Sequence, residues 1–330
     1  MSFETYWFYL SASLLVLVIL CATVIYVMCK YTDVYPKVVR CEEEKFFLDP
    51  ASGTKRTFPS LADDWSINLS VIVPAYNEET RLPSMLDECL NYLEERKKSG
   101  LLYEIIIVSD GSTDKTVDVA HSYAKKYSCI RVLALVKNRG KGGAVRLGMQ
   151  SARGSVLLFA DADGATTFSD LTKLDESLRN VLGFDYVSSP GETASAHAII
   201  CGSRAHLEEE EKAKRSLFRL LLMHGFHFLV WFFCVKGVHD TQCGFKLLTR
   251  ESARLVFAAL HVERWAFDVE MLYIAEVLGL PVTEVAVEWQ EIEGSKIVPV
   301  WSWLQMGRDL MLISLRYKLG AWKILKPKTS

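Results

Sequence analysis

Four short runs constrain this chain most. Asn68–Pro74, Tyr103–Ser109, Ile130–Val136 and Ser155–Ala160 are apolar and rich in β-branched residues along their whole length, as strands buried on both faces require. Helical patterns at about 82–98, 113–127 and 142–152 separate them. Strand and helix alternating in this way predict an α/β fold, a mostly parallel sheet flanked by helices. In such a sheet ligands bind beyond the carboxyl ends of the strands, so the loops that follow the four runs become the informative residues.

Those loops are polar. They comprise Pro74 to Glu78, Asp110 to Asp114, Lys137 to Gly143, and Asp161 to Gly164. Asp161 and Asp163 are two apart at a strand end, so extended backbone turns both carboxylates to one side, where they can share a cation. Hard oxygen ligands suit Mg²⁺ or Mn²⁺, and Mg²⁺ commonly completes its shell with water and ligand phosphates. An acidic turn capping the next helix would use the same residues, but the position after the fourth run favours a metal site. Asp110 offers an acceptor for the N–H of a base, while Ser112 or Thr113 suits a helix cap. Tyr76, beside Asn77 and Glu78, supplies a ring that can stack on a base. The Lys137–Gly143 loop is glycine-rich and opens a helix, which fits a phosphate cradle containing Lys141 and equally a simple tight turn. No Walker A pattern occurs in the chain.

The balance of 38 basic and 40 acidic residues leaves a formal charge of −2, so no overall field points to nucleic acid. An anionic ligand has to be held locally. The 8 cysteines are scattered without metal-ligand spacing, which fits free thiols in a reducing compartment. From Tyr6 to Cys29 no side chain is charged, and a helix over that stretch spans roughly 36 Å, enough for a hydrocarbon core of about 30 Å. Only Glu4 is charged upstream, whereas Lys30, Lys37 and Arg40 follow. That asymmetry predicts a retained anchor with the rest of the chain in the cytoplasm.

The expected organisation is an anchor over 1–30, a connector over 31–66, a catalytic domain over 67–295 and a C-terminal amphipathic segment over 296–330. Within the domain, Leu217–Val235 is apolar but holds Arg219, His224 and His227, which suits an interfacial helix better than a span. The stretch from Trp301 to Lys328 mixes aromatic and basic residues. It fits either the headgroup layer or a helix packed on the domain.

Taken together, the four loops resemble those of the family-2 inverting glycosyltransferases of the GT-A fold, over most of residues 67–250. The resemblance implies that Pro74, Tyr76, Glu78 and Asp110 hold a uridine nucleotide and that Asp161 and Asp163 hold the metal. Gly202, Ser203 and Arg204, and the stretch Asp240 to Lys246, are similar to the polyprenyl-phosphate sugar transferase branch. With Glu263 to Glu270 and Glu293 to Lys296, they imply transfer of glucose from UDP-glucose to dolichyl phosphate at the endoplasmic reticulum membrane, giving a lipid-linked donor for N-glycan precursor assembly. Two positions depart from the pattern. Ser109 stands where many relatives carry an Asp, and Ala165 stands where soluble dolichyl-phosphate mannose synthases place a Gln.

On this reading a lipid phosphate attacks the anomeric carbon, and cations must receive it. Arg204 is a candidate by motif, and Arg215 and Arg219, four apart, share one face of the expected interfacial helix. Asp240 is expected near the reacting groups, while Asp268 and Glu270 are open, with Arg264 and Asp268 spaced for an i, i+4 pair. The alternatives are a mannosyltransferase using GDP-mannose, an inactive nucleotide-sugar-binding membrane scaffold, and a processive polysaccharide synthase, for which the additional spans are missing.

Overall fold

The computed structural model describes residues 3–49, 52–206, 237–292 and 301–324. The expected interfacial segment, with Arg215 and Arg219, lies outside the described residues, as does Lys296.

The four buried runs form the parallel heart of a seven-stranded sheet. They are β3 (Ile67–Ala75), β4 (Tyr103–Ser109), β5 (Ile130–Ala134) and β6 (Gly154–Ala160). With β7 (Ile199–Ser203), β8 (Phe245–Thr249) and β9 (Val282–Ala286), the spatial order is β5-β4-β3-β6-β8-β7-β9. Only β8 runs against its neighbours, pairing antiparallel with both β6 and β7. The chain moves outward from β3 through β4 to β5, then returns to place β6 on the other side of β3. This reversal opens a crevice at the carboxyl ends of β3 and β6, the place where doubly wound sheets bind ligands.

Two hydrophobic layers cover the sheet. On one face, β-branched residues such as Val71, Ile105 and Ile107 pack with Leu82, Leu86 and Leu93 of α2 (Leu82–Lys97), with α3 (Thr116–Lys126), and with α5 (Leu171–Leu182). On the other, Ile72, Ile106 and Phe159 meet α4 (Lys141–Met149), α7 (Arg250–Ala259), α8 (Phe267–Leu278) and α9 (Trp301–Lys318); the short α6 (Pro190–Ser195) lies between α5 and β7. Helix α4 lies so close to the sheet that a Cβ on Gly148 would stand 2.8 Å from a Val108 methyl group. Its glycines therefore serve packing as well as any loop function.

Helix α1 (Phe3–Tyr31) is long and apolar enough over Thr5–Tyr31 to cross a membrane. The connector is more structured than its mixed sequence suggests. It holds a hairpin of β1 (Phe46–Leu48) and β2 (Lys55–Thr57), and it buries Glu44, Phe47, Phe58 and Leu61 against the domain. Glu44 accepts hydrogen bonds from the Val136 N–H at 3.1 Å and from Arg139 at 3.0 Å, long-range partners invisible to local periodicity. At the other end of the chain α9 buries Met306, Leu310 and Ile313 on the α4 face while leaving Met311 and Leu315 exposed. Of the two sequence readings for this stretch, packing on the domain accounts for its buried face.

Candidate active site

The loops after β3, β4, β5 and β6 meet at the crevice, and their own hydrogen bonds explain their shapes. Asn77 adopts φ +53°, a left-handed turn that Asn tolerates. Its amide donates to the Ser112 hydroxyl at 3.2 Å, and its side-chain oxygen accepts the Thr113 N–H at 2.8 Å. The Glu78 N–H donates to Thr116 at 2.7 Å, and Glu79 reaches the Lys115 amide at 2.9 Å. The first two loops are thereby locked together. Above them Tyr76 is 39% exposed, so its ring is open for stacking, with Pro74 half-buried at the strand end.

Glu78 is buried and forks onto Arg81, at 2.7 Å to Nε and 2.5 Å to Nη2. Burial works against the Arg81 charge, but Glu78 and the nearby Asp163 and Asp161 more than offset it and raise its pKa. Asp110 is buried as well, and both of its oxygens are engaged by the next loop: Oδ1 accepts the Arg139 N–H at 2.7 Å and Oδ2 the Gly140 N–H at 2.8 Å. Burial pushes the Asp110 carboxyl above its ordinary range despite those two amides. Gly140 takes φ +87°, which lets the chain turn onto Asp110 and enter α4. Thus Asp110 shapes the glycine-rich loop, whatever else its remaining lone pairs accept.

Asp161 and Asp163 follow β6. The Asp161 N–H donates to the Gly244 carbonyl at 3.1 Å, and the carboxylate lies against Gly244 so closely that a Cβ there would meet Oδ1 at 2.6 Å and the other carboxylate atoms sooner. Lys141, at the first position of α4, places its ammonium 2.7 Å from Asp161 Oδ1 and 2.8 Å from Oδ2. Burial opposes the charge of Lys141, but Asp161 and Asp268 outweigh it and raise its pKa. Asp163 accepts the Ala165 N–H at 3.0 Å through one oxygen. Three cations, Arg81, Lys141 and Arg204, act on the Asp161 carboxylate. Such a setting suits an anionic ligand bridged to carboxylates by a metal.

As a metal site the pair is incomplete by itself, since among the described residues no group of three or more metal-ligating side chains converges. Two hard carboxylates fit a divalent cation whose remaining ligands come from diphosphate and water. Ala165, buried beneath the turn, adds no side-chain ligand. The Lys141 ammonium occupies both oxygens of Asp161, so a cation held there would have to displace this lysine or share the carboxylate with it.

Arg204 and Asp240 come together at the end of β7. Asp240 accepts Arg204 Nε at 2.7 Å, Nη2 at 2.9 Å and the Arg204 amide at 2.9 Å. Burial alone would raise the Asp240 carboxyl, yet this bidentate contact holds it down at about 2. The guanidinium also lies 5.3 Å from the centroid of the Trp289 ring, so its plane is fixed from two sides.

Several contributors escaped the sequence reading. Arg81 sits one residue before α2 and gave no signal beyond its charge. Gly244 was visible only as part of a string, and its close contact with Asp161 needed the β6–β8 pairing. The spacing of Arg264 and Asp268 suggested a pair that does not form. Asp268 instead binds Lys246 at 2.7 Å, with Lys246 fully buried and donating also to the Cys243 carbonyl. Glu270 accepts the amides of His261 and Val262 and the Tyr317 hydroxyl, all structural contacts. Cys29, Cys41, Cys89, Cys129, Cys201 and Cys243 are free thiols.

Residues 70–257 match the model of glycosyl transferase family 2. The chain is 58% identical to dolichyl-phosphate beta-glucosyltransferase of Homo sapiens, over 88% of this chain and 87% of that one. The Drosophila melanogaster protein of the same name is 57% identical over 96% and 95% of the two chains. A solved structure of glucosyl-3-phosphoglycerate synthase from Mycobacterium tuberculosis with uridine diphosphate is a distant likeness, with 18% identity and a TM-score of 0.49 over 80% of this chain and 82% of that one. The chain belongs to glycosyl transferase family 2, among the dolichyl-phosphate beta-glucosyltransferases.

Proposed function

We propose that this chain transfers glucose from UDP-glucose to dolichyl phosphate with inversion, giving dolichyl β-D-glucosyl phosphate and UDP. Helix α1 anchors it in the endoplasmic reticulum membrane with the catalytic domain on the cytoplasmic side. The observation that carries this reading is the 58% identity to a relative of that name over 88% of the chain. The position of Asp161 and Asp163 at the switch point of the sheet supports it.

In this mechanism Tyr76 stacks on uracil, while Pro74, Glu78 and Asp110 shape the nucleoside pocket. Lys141 faces the diphosphate. Asp161 and Asp163 would hold Mg²⁺ or Mn²⁺, which when bound would supply neutralisation of charge on the departing diphosphate. Arg204, fixed in plane by Asp240, receives the acceptor phosphate with Arg215 and Arg219. A phosphomonoester with its second pKa near ~6 is already largely dianionic at neutral pH, so an acceptor oxygen can attack the anomeric carbon without a general base. The bond from that carbon to the UDP oxygen breaks, and UDP leaves with the electron pair.

The test is transfer of label from UDP-glucose and, separately, from GDP-mannose into organic-extractable lipid by the full-length protein. Glucose transfer that is lost on chelation and restored by Mg²⁺ or Mn²⁺ is expected, with a β linkage in the product. Transfer of mannose alone would overturn the donor assignment, and an α-linked product would overturn inversion.

A further inference from the structure

A second recess lies beside the amino-terminal turn of α4, where Glu263 and Arg264 pack close to Gly140 and the Glu263 carbonyl accepts the Gly143 amide. It is a cavity of about 460 Å³ lined by Thr32 and Lys37, which follow α1, and by Arg146, His261, Arg264 and Trp322. An adjoining cleft shares Arg264 and Trp322 and adds Arg308 and Arg316. Three carboxylates face these spaces, and each already has a partner. Asp33 pairs with Lys37 at 2.7 Å, Asp309 with Arg308 at 2.8 Å, and Glu263 with Arg146. Arg264 and Arg316 have no ion pair among the described residues, so two positive charges are left uncompensated in one cleft.

A further observation points to a missing acceptor. Arg146 is 2% exposed and donates through Nη1 to the Leu260 carbonyl at 2.9 Å, yet its Nε has no hydrogen-bond partner among the described residues. The buried Nε of Arg316 is in the same condition, while its guanidinium lies 4.6 Å from the centroid of Trp322. Buried N–H groups without acceptors are uncommon in folded proteins, because each gives up its bond to water. These two N–H groups, on Arg146 and Arg316, with the unbalanced charges of Arg316 itself and of Arg264, describe a place for an anion with several oxygens.

The recess also has a defined position. Cys29, in the last turn of α1, has its Sγ 3.7 Å from the Leu319 carbonyl. The Val34 carbonyl accepts the Lys323 amide at 3.1 Å and lies 3.3 Å from His261 Nε2. His261 in turn stacks on Trp322 at 4.2 Å with ring planes 8° apart. The recess therefore sits at the foot of α1, where a helix crossing a bilayer meets the headgroups, with an aromatic ring at the same level.

We infer that the recess and its adjoining cleft, which meet at Arg264 and Trp322, together bind the phosphate of an anionic glycerophospholipid, with Arg264 at the junction, Arg146 on the recess side and Arg316 on the cleft side, and that the bound lipid seats the catalytic domain against the bilayer. This rests on the reading of α1 as a membrane anchor. The site is separate from Arg204, which contributes nothing to its lining.

The experiment uses the full-length protein in neutral detergent. It is titrated by calorimetry with dioctanoyl phosphatidate, dioctanoyl phosphatidylcholine and inorganic phosphate, for the wild type, Arg264→Ala and the double variant Arg264→Ala/Arg316→Ala. Arg264 is exposed and unpaired, so its removal leaves the fold in place, as an unchanged thermal midpoint will show. Saturable binding of phosphatidate is expected, at least tenfold weaker in Arg264→Ala and weaker again in the double variant, with phosphatidylcholine inert and inorganic phosphate much weaker. Equal affinity for phosphatidate in all three proteins overturns the site. Equal affinity of the wild type for inorganic phosphate overturns its assignment to lipid. A raised KM for dolichyl phosphate with phosphatidate binding unchanged would reassign these arginines to the acceptor and also overturn it. Release of the protein from membranes by alkaline carbonate would sink the anchor reading alone, since the detergent titration tests the phosphate site independently.

Discussion

Replacing Gly244 by Ala isolates the position of the Asp161 carboxylate. The new Cβ would stand 2.6 Å from Oδ1 and nearer still to Oδ2 and Cγ. Ordinary non-bonded contact between carbon and oxygen needs over ~3 Å, so the carboxylate must retreat by roughly 1 Å. The backbone at Gly244 has little freedom, because its carbonyl accepts the Asp161 N–H at 3.1 Å and β8 begins at the next residue. The Asp161 side chain is 33% exposed and can swing outward, so the cost falls on geometry before stability. A displacement of about 1 Å at a reacting centre commonly costs on the order of 10²-fold in rate, equivalent to about 2.7 kcal/mol of barrier. Transfer of labelled glucose into lipid should therefore fall roughly 100-fold in Gly244→Ala, while the thermal midpoint shifts by no more than a few degrees. Wild-type turnover in a folded Gly244→Ala protein would refute the claim that Asp161 must stay where Lys141 and Gly244 hold it.

Other substitutions probe the surrounding charges. Asp163→Asn keeps an oxygen for the Ala165 amide, so it should fold normally yet lose about 10²-fold or more in kcat; retention of full activity would remove Asp163 from the metal shell. Lys246→Met leaves Asp268 buried without its partner at 2.7 Å, at a cost of about 3–5 kcal/mol. Denaturant unfolding should show the double variant Lys246→Met/Asp268→Leu recovering much of that loss, and equal losses in the single and double variants would argue against the pair. The Asp240 carboxyl, held at about 2 by Arg204 against the pull of burial, contributes stability that is fully present above the unfolded value near ~4 and is lost as pH falls from there through about 2. The stability gap between wild type and Asp240→Asn should narrow by about 2 kcal/mol over that acid range, and a gap that stays constant would show that the carboxylate is not so perturbed.

The parallel half of the sheet was legible because strands buried on both faces leave a continuous apolar signal. Tyr103–Ser109 was located to the residue, and the other three runs within two residues. Strand β8 was not separable, since Phe245–Thr249 follows a loop of motif residues and contains Lys246, a charge that only the later arrival of Asp268 makes tolerable in the interior. The connector failed differently. Its hairpin and the buried Glu44 depend on Arg139 and the Val136 amide, about 90 residues away in sequence, and no local pattern reports such partners. At the site, residue types announced Asp161, Asp163 and Tyr76. The ties between loops, such as Asp110 to the Gly140 amide and Asp240 to Arg204, required the fold.

The strap that joins α1 to the domain has a practical corollary. Arg40 reaches the Leu147 carbonyl at 2.7 Å, Arg139 reaches back to the Val39 carbonyl at 2.5 Å, and Glu44 closes the circuit from inside. The stretch thus behaves like a belt buckled around α4, the helix that presents Lys141. Its tightness sets the distance between the foot of α1 and the catalytic cleft, much as a depth stop sets the reach of a drill. An enzyme shortened to remove α1 should begin just after Tyr31 and keep the belt whole; trimming to Ile67 would unbuckle α4 and loosen the lysine it carries.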